Sequence, residues 1–164
     1  MKATHKNIDG CELYRSPIGT LVIEQTGRAL TALRFEDELS SPIIPRPTEL
    51  TALVCRQLDE YFAGVRRDFS DIPLDLRGTQ FQLRVWNALL DIPYGETRNY
   101  GDIAAAVENP RACRAVGMAN HNNPIVIIVP CHRVIGADGS LTGYGGGLDK
   151  KVFLLELERK STSH

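Results

Sequence analysis

The sequence predicts an α/β protein with a small antiparallel sheet and one helix first, and a mostly helical region second. Short apolar runs bounded by Gly and Pro fill the first third of the chain, which is typical of β-hairpins. From residue 79 onwards the apolar residues recur at helical spacing instead. This change of pattern predicts two domains, residues 1–76 and residues 77–164.

The composition is that of a globular protein, with 164 residues, 43% apolar residues and a net charge of −1. No apolar run approaches the roughly 20 residues of a membrane helix, and the N-terminus lacks the apolar region of a secretion signal. Cytoplasmic localisation without membrane association is therefore expected. The cysteines form no CxxC motif, which indicates free thiols and no metal site; they are Cys11, Cys55, Cys113 and Cys131.

The first 76 residues read as a hairpin, a connector and a helix. "SPIGTLVIEQT" and "GRALTALRFE" predict two strands joined at a Thr-Gly turn, and three prolines make "SSPIIPRPTE" a connector. "LTALVCRQLDEYFAG" has a helical apolar face with Gly64 beyond its end. "RRDFSDIPLDLRG" is interpreted as a strand or an extended linker.

The sequence pattern of residues 77–164 predicts four helices. Thr79 caps the first, which ends before Pro93, and a terminal helix covers 148–160. Between them, helices 100–107 and 111–120 flank a tight turn in which Asn109 serves as a cap, which is the pattern of a helix-turn-helix. A helical hairpin that only packs a core is the alternative.

The second helix of this pair is slim and basic. Its small residues are Ala112, Ala115, Gly117 and Ala119, and its cations are Arg111 and Arg114. Small side chains let a helix approach another surface closely, and a DNA groove is one such surface. Lys and Arg outnumber Asp and Glu by 10 to 8 over residues 77–164, a weak indication of a polyanionic partner.

"IVIIVPCHRV" carries the candidate chemistry. The apolar run predicts a central strand that Pro130 ends, which places Cys131 at the mouth of the strand. His132 supplies a base for the thiol proton, directly or through a water, and Glu158 in the last helix is a candidate to orient the imidazole. A buried apolar cysteine and a thiol hydrolase are the alternatives, although "PCHRV" does not resemble the signatures of thiol proteases.

Four segments together resemble the O6-alkylguanine-DNA alkyltransferases, also called methylated-DNA–protein-cysteine methyltransferases. They are "FQLRVWNALLDIPYGETRNYGDIA", "RAVG", "NPIVIIVPCHRV" and "GYGGGLDKKVFLLELE", and the likeness is dense over residues 79–158. The resemblance implies a ribonuclease-H-like N-terminal domain and a winged-helix-like C-terminal domain with a helix-turn-helix. It also implies single-turnover transfer of an alkyl group from O6 of guanine in double-stranded DNA to the protein, after the base is flipped out through the minor groove.

The resemblance further implies a catalytic role for five residues. Cys131 is similar to the alkyl acceptor, and His132 to the base that takes its proton through a water. Glu158 corresponds to the carboxylate that holds the imidazole. Tyr100 matches the phenol that protonates the leaving guanine, and Asn123 matches the hinge between the helix-turn-helix and the active-site strand.

The remaining implied roles concern DNA and the base pocket. Arg114 resembles the finger that fills the gap left by the flipped nucleotide. The other implied DNA-binding residues are Ala112, Cys113, Ala115 and Gly117. The implied pocket residues are Tyr144, Gly145, Val134 and Met118, and the carbonyls of Cys131 and Val134 are expected to accept the guanine amino group. Gly145 stands where some members carry serine, which we expect to open the pocket slightly, and Arg133 is interpreted as an ion-pair residue.

The implied partner is duplex DNA containing O6-alkylguanine, with no cofactor and no metal. A monomer in solution is expected, while cooperative binding on DNA and activity on O4-alkylthymine remain open. Two rival functions are a lesion sensor and a sequence-specific regulator. A sensor of this kind lacks the acceptor thiol, and a regulator needs polar base-reading side chains where "RACRAVGMAN" offers mostly Ala and Gly.

Overall fold

The computed structural model describes residues 8–141, 144 and 147–162. The chain divides into two compact units between Leu76 and Arg77. Gly145, expected in the base pocket, lies outside the described residues. No helix in the described part of the chain is long and apolar enough to span a bilayer.

The first unit contains a three-stranded antiparallel sheet in the order β1 (Gly10–Ser16), β2 (Gly19–Thr26) and β3 (Ala29–Phe35). The hairpin of β2 and β3 confirms the sequence prediction, and Gly27 in its turn has φ +61°. β1 was not predicted, because its charged residues interrupt the apolar alternation. It nevertheless pairs with β2 along its whole length.

One helix, α1 (Glu49–Phe62), packs against β1 and β2. Thr48 begins it with a capping box, since its hydroxyl accepts from the Thr51 amide at 3.1 Å while the Thr51 hydroxyl accepts from the Thr48 amide at 2.8 Å. Gly64, beyond its end, has φ +80° as the sequence predicted. Residues 66–76 form no strand and act as a linker. Within this linker, Leu74 makes an isolated parallel β-bridge with Leu30.

The second unit begins with α2 (Gln80–Leu90), which Thr79 caps as predicted. Trp86 on α2 is 2% exposed, and its indole nitrogen donates to the Ala119 carbonyl at 2.8 Å. This bond ties α2 to α4 (Cys113–His121). Gly78 allows the packing, because a Cβ at that position would lie 2.7 Å from the Trp86 ring.

Helix α3 (Tyr100–Ala106) and helix α4 form the predicted pair, but the turn between them differs from the prediction. Glu108 adopts φ +61°, and the Asn109 amide closes α3 by donating to the Ala104 carbonyl at 2.9 Å. This is a Schellman motif. Helix α4 begins at Cys113, its N-cap residue is Ala112, and no side chain caps it. The predicted cap at Asn109 and the start at residue 111 are therefore wrong.

The predicted central strand at residues 125–129 is also wrong, because residues 126–128 form turns. A continuous apolar run shows only that a segment is buried on every side, and periodicity alone does not separate a strand from buried turns. After this segment the chain forms a 3₁₀ turn, Cys131–Arg133, and β5 (Val134–Ile135), which pairs in parallel with β4 (Arg98–Asn99). Helix α5 (Leu148–Thr162) follows.

Glu108 provides a test of the α3–α4 turn. Replacing Glu108 with Gly is expected to raise the free energy of unfolding by about 1 kcal/mol, since glycine adopts a positive φ without a Cβ clash. Urea unfolding followed by fluorescence of Trp86, the one tryptophan, measures the change. Ala105→Gly, in the exposed face of α3, is the matched control and should lower the same quantity by about 1 kcal/mol. Destabilisation by both variants would contradict the strained turn.

Candidate active site around Cys131

Cys131 opens the 3₁₀ turn and is 3% exposed. The preceding Pro130 has φ −82° and ψ 64°, and the Cys131 amide donates to the Val129 carbonyl at 2.8 Å. These values define an inverse γ-turn, and the ring of proline favours its φ. The γ-turn thus sets the direction of the backbone from which the thiol projects.

A second three-residue turn lies just before it. Ile127 has φ +71°, and the Ile128 amide donates to the Val126 carbonyl at 2.8 Å. A positive φ at a β-branched residue is strained, at a cost of about 1–3 kcal/mol. Ile127 is 1% exposed, so burial of its apolar side chain offsets the strain.

Asn123 holds these turns in place. Its amide nitrogen donates to the Val129 carbonyl at 2.8 Å, and its amide oxygen accepts from the Ile125 amide at 2.9 Å. Asn123 lies two residues after the end of α4 and is 8% exposed. One side chain therefore makes hydrogen bonds near both ends of the segment.

His132, Arg133 and Glu158 form a buried cluster. His132 Nε2 lies 2.7 Å from Glu158 Oε2. Arg133 donates to both carboxylate oxygens, from Nε at 2.8 Å and from Nη2 at 3.0 Å, and its Nη1 donates to the Ile92 carbonyl at 2.7 Å. The Gly95 amide donates to Glu158 Oε1 at 3.3 Å. The ion pair confirms the interpretation of Arg133.

Burial and neighbouring charges set the protonation states in this cluster. Burial lowers the pKa of His132, against the opposing effect of Glu158, so the imidazole is neutral near pH 7. Burial alone would raise the pKa of Glu158, but His132 and Arg133 outweigh it and hold that pKa well below its usual range. The site therefore pairs a neutral imidazole with an ionised carboxylate.

The carboxylate fixes which nitrogen of His132 carries the proton. An ionised carboxylate only accepts hydrogen bonds, so Nε2 must be the protonated nitrogen and Nδ1 keeps its lone pair. Nδ1 is buried and has no hydrogen-bond partner among the described residues. Because Cys131 is the adjacent residue, this arrangement is able to accept a thiol proton, directly or through one water.

Two further residues contact the site, and the sequence analysis missed both. Lys151 is fully buried and donates to the Val134 carbonyl at 2.6 Å, while Asn120 is 2% exposed and donates to the Cys131 carbonyl at 3.2 Å. Burial lowers the pKa of Lys151, and Cys131 acts in the opposite direction. Lys151 shares helical spacing with Leu154 and Glu158, which was the available signal. Both carbonyls expected to accept the guanine amino group thus already accept a side-chain donor.

The two-stranded sheet brings Tyr100 towards the same region. Tyr100 directly follows β4, while Val134, in β5, directly follows the 3₁₀ turn, and Arg98 pairs with Val134. Tyr100 is half-buried, and a Cβ on Gly117 would lie 3.9 Å from its ring. Tyr144 is 8% exposed.

Helix α4 separates the expected DNA-binding residues from the core. Arg114, Cys113 and Ala115 are exposed, Ala112 and Gly117 are half-buried, and the opposite face is buried. Met118, expected in the base pocket, is 62% exposed on the outer face one turn after Arg114. The outer face therefore carries mostly small residues, and its larger exposed side chains are Arg114, Met118 and, in the last turn, His121.

Within residues 8–141, 144 and 147–162, no group of three or more His, Cys, Asp or Glu side chains is placed to hold a metal. All four cysteines are free thiols.

Comparison with known families finds two matches that together cover most of the chain. The family described as "6-O-methylguanine DNA methyltransferase, ribonuclease-like domain" matches residues 11–76, and "6-O-methylguanine DNA methyltransferase, DNA binding domain" matches residues 80–160. A methylated-DNA–protein-cysteine methyltransferase of Mycobacterium leprae is 55% identical over 91% of this chain and 92% of its own length. A relative of the same name from Methanosarcina acetivorans is 50% identical over 89% of this chain and 96% of its own length.

Solved structures agree with these matches. The Mycobacterium tuberculosis O6-methylguanine methyltransferase is 53% identical, with a TM-score of 0.84 over 93% of each chain. The crystal structure of Mycobacterium tuberculosis OGT in complex with DNA is 55% identical, with a TM-score of 0.83 over 91% of this chain and 92% of that one. These matches in sequence and in fold show that the chain belongs to the 6-O-methylguanine DNA methyltransferase family.

Proposed function

We propose that this chain repairs DNA by transferring the alkyl group from O6 of guanine to Cys131, in a single and irreversible turnover. The observation that carries the proposal is the buried thiol of Cys131 next to His132 in the chain. Glu158 holds His132 Nε2 at 2.7 Å, and Nδ1 has no hydrogen-bond partner within residues 8–141, 144 and 147–162. The relatives named methylated-DNA–protein-cysteine methyltransferase support the same activity.

The proposed transfer is one displacement at the alkyl carbon. The thiol proton of Cys131 passes to Nδ1 of His132 through a water, and the sulfur attacks the alkyl carbon. The S–C bond forms as the C–O6 bond breaks, and the electron pair moves onto O6 and into the ring of guanine. Tyr100 supplies the proton that makes guanine a neutral leaving group. The thioether product has no easy hydrolytic route back, so each molecule acts once.

The positioning of the thiol must contribute more to the rate of alkyl transfer than the acidity of the thiol does. Lowering a thiol pKa from about 8.5 to about 5 raises the thiolate fraction near pH 7 about 30-fold. The same change lowers the nucleophilicity of the thiolate by a similar factor. The γ-turn at Pro130 and the buried cluster around Glu158 therefore matter because they hold the thiol and its base in line with the substrate.

Base flipping brings the lesion to the buried thiol. O6 of a paired guanine lies in the major groove, where a buried cysteine does not reach it in line. Flipping costs a few kcal/mol, and less for a lesion that pairs badly. In this proposal α4 lies in the minor groove, where its small outer residues permit close approach, and Arg114 fills the gap left by the base. Minor-groove readout is nearly blind to sequence, which suits repair at any guanine.

The two units divide the proposed work. Residues 77–164 contain both the DNA-binding helix pair and the thiol centre, so we assign DNA binding and alkyl transfer to that domain. The free state of all four cysteines supports a reducing compartment, and we place the protein in the cytoplasm as a monomer. A lesion sensor is disfavoured because Cys131 is present beside a usable base.

The acceptor residue is tested by intact-mass spectrometry of the full chain after mixing with a duplex that contains one O6-methylguanine. The mass should rise by one methylene group per protein and no further, with the gain on the peptide that contains Cys131. Cys131→Ser should abolish the gain, whereas Cys55→Ser, which removes a free cysteine on α1 of the first unit, should retain it. Tight binding of the lesion by the native chain without any mass gain would identify a sensor instead.

The buried carboxylate is tested by pH. Its pKa is depressed in the folded state, so the stability that ionised Glu158 contributes is present above the unfolded value of about 4.3 and is lost as the pH falls below it. Glu158→Gln removes this titration, and should flatten the fall in urea midpoint between about pH 5 and pH 3. At neutral pH the variant should be less stable by about 3–5 kcal/mol, because Arg133 loses its buried counter-ion.

The matched control for this test is Glu156→Gln on the same helix. Glu156 pairs with Arg159 in an exposed ion pair, so its loss should change stability by at most about 1 kcal/mol. An unchanged acid slope in Glu158→Gln would contradict the assignment of an ionised carboxylate.

Arg114 is tested by comparing two substrates. Arg114→Ala should slow methyl transfer from duplex DNA about tenfold or more, because nothing then offsets the cost of flipping. Transfer from the free O6-methylguanine base, which needs no flipping, should keep its rate. Arg111→Ala removes an exposed cation just before α4. It should weaken DNA binding only by the loss of one phosphate-neutralising charge, which makes the affinity less dependent on salt concentration. If Arg114→Ala slowed transfer from duplex DNA and from the free base equally, Arg114 would not be the residue that fills the gap left by the flipped base.

A further inference from the structure

Asn120 is a buried amide of which the protein uses only one half. Its Nδ2 donates to the Cys131 carbonyl at 3.2 Å, whereas Oδ1 has no hydrogen-bond partner among the described residues. Asn120 is 2% exposed and lies on the inward face of α4 with Val116 and Ala119. An apolar residue would be the ordinary choice at such a position.

An amide oxygen that is buried without a donor is unfavourable, and native structures rarely keep one without a reason. Holding the Cys131 carbonyl requires only the donor half of Asn120. The acceptor half remains available for a group that arrives with a ligand. Since Oδ1 and Nδ2 share one carbon atom, this acceptor lies beside the carbonyl of the residue whose sulfur receives the alkyl group.

The chemistry of the substrate supplies one matching donor. Alkylation at O6 removes the hydrogen from N1 of guanine, so the exocyclic 2-amino group is the N–H donor left on the Watson–Crick edge. O4-alkylthymine presents a carbonyl oxygen, O2, at the corresponding position. An acceptor in the pocket therefore attracts the guanine lesion and repels the thymine lesion.

We propose that Asn120 Oδ1 accepts a hydrogen bond from the 2-amino group of the bound O6-alkylguanine, and that Asn120 thereby selects guanine lesions over thymine lesions. The proposal rests on the proposed function and names how the same site recognises its base. The Cys131 carbonyl has two lone pairs and already gives one to Asn120. The 2-amino group has two hydrogens, so in this proposal one is donated to Asn120 Oδ1 and the other to the Cys131 carbonyl, while the Val134 carbonyl accepts from Lys151 at 2.6 Å.

The test uses the full chain and three duplexes that differ only in the lesion: O6-methylguanine, O6-methylhypoxanthine, which lacks the amino group, and O4-methylthymine. Single-turnover methyl transfer is measured for the native chain and for Asn120→Leu, which has a similar shape and no polar atoms. Asn120→Leu should slow transfer from O6-methylguanine about tenfold more than transfer from O6-methylhypoxanthine. The preference for O6-methylguanine over O4-methylthymine should fall by a similar factor.

Comparing lesions separates recognition from general damage. Asn120→Leu also removes the donor to the Cys131 carbonyl, which leaves that carbonyl with more acceptor capacity for the guanine amino group. This change opposes the expected fall in the ratio of rates, so a fall reports the loss of Oδ1. Asn120→Ala provides the same comparison if the leucine variant does not fold. Asn122→Ala, at the exposed neighbouring amide, should leave both ratios unchanged.

Equal slowing on all lesions, or no slowing, would overturn the proposal and leave Asn120 as a support for the Cys131 backbone. These outcomes are distinct from failure of the proposed function. If the proposed function itself were wrong, the native chain would transfer no methyl group from any of the three duplexes.

Discussion

The carboxylate of Glu158 is the interaction on which the rest of the site depends. It accepts hydrogen bonds from His132, from Arg133 and from the Gly95 amide, and so joins α5 to the 3₁₀ turn and to the loop before β4. A carboxylate that is 1% exposed has no water to replace a lost donor. Each of these elements must therefore be in place for the others to be stable.

The same carboxylate determines the chemistry of its neighbour. A buried ion pair is weak evidence for stability, because the desolvation of both charges offsets much of their attraction. Here the ion pair between Glu158 and Arg133 matters because it sets the geometry and the protonation states of the site. Arg133 keeps Glu158 ionised, Glu158 fixes the proton of His132 on Nε2, and burial keeps the imidazole neutral. Near pH 7 the lone pair of Nδ1 is therefore available on the residue next to Cys131 in the chain.

Backbone strain is the second constraint on the thiol. Two γ-turns, centred on Ile127 and Pro130, replace the extended chain that an apolar run usually adopts. Asn123 braces this path at two points, since it accepts from the Ile125 amide and donates to the Val129 carbonyl. Burial of the apolar side chains supplies the stabilisation that a strained, irregular segment requires. The thiol is thus presented by a buried turn whose backbone is hydrogen-bonded.

The sequence by itself determined the local features. Capping by Thr79, the hairpin of β2 and β3, and family membership through "PCHRV" all depend on residues close together in the chain. Only the tertiary structure decided that residues 126–128 are turns, that Asn109 closes α3 and caps nothing, and that Asn120 and Lys151 contact the site. The turns at residues 126–128 and at Asn109 are local, but they require a positive φ at Ile127 and Glu108, which neither residue type indicates. The contacts of Asn120 and Lys151 depend on partners 11 and 17 residues away in the chain. Periodicity and capping patterns describe each segment alone, and they carry no information about such partners.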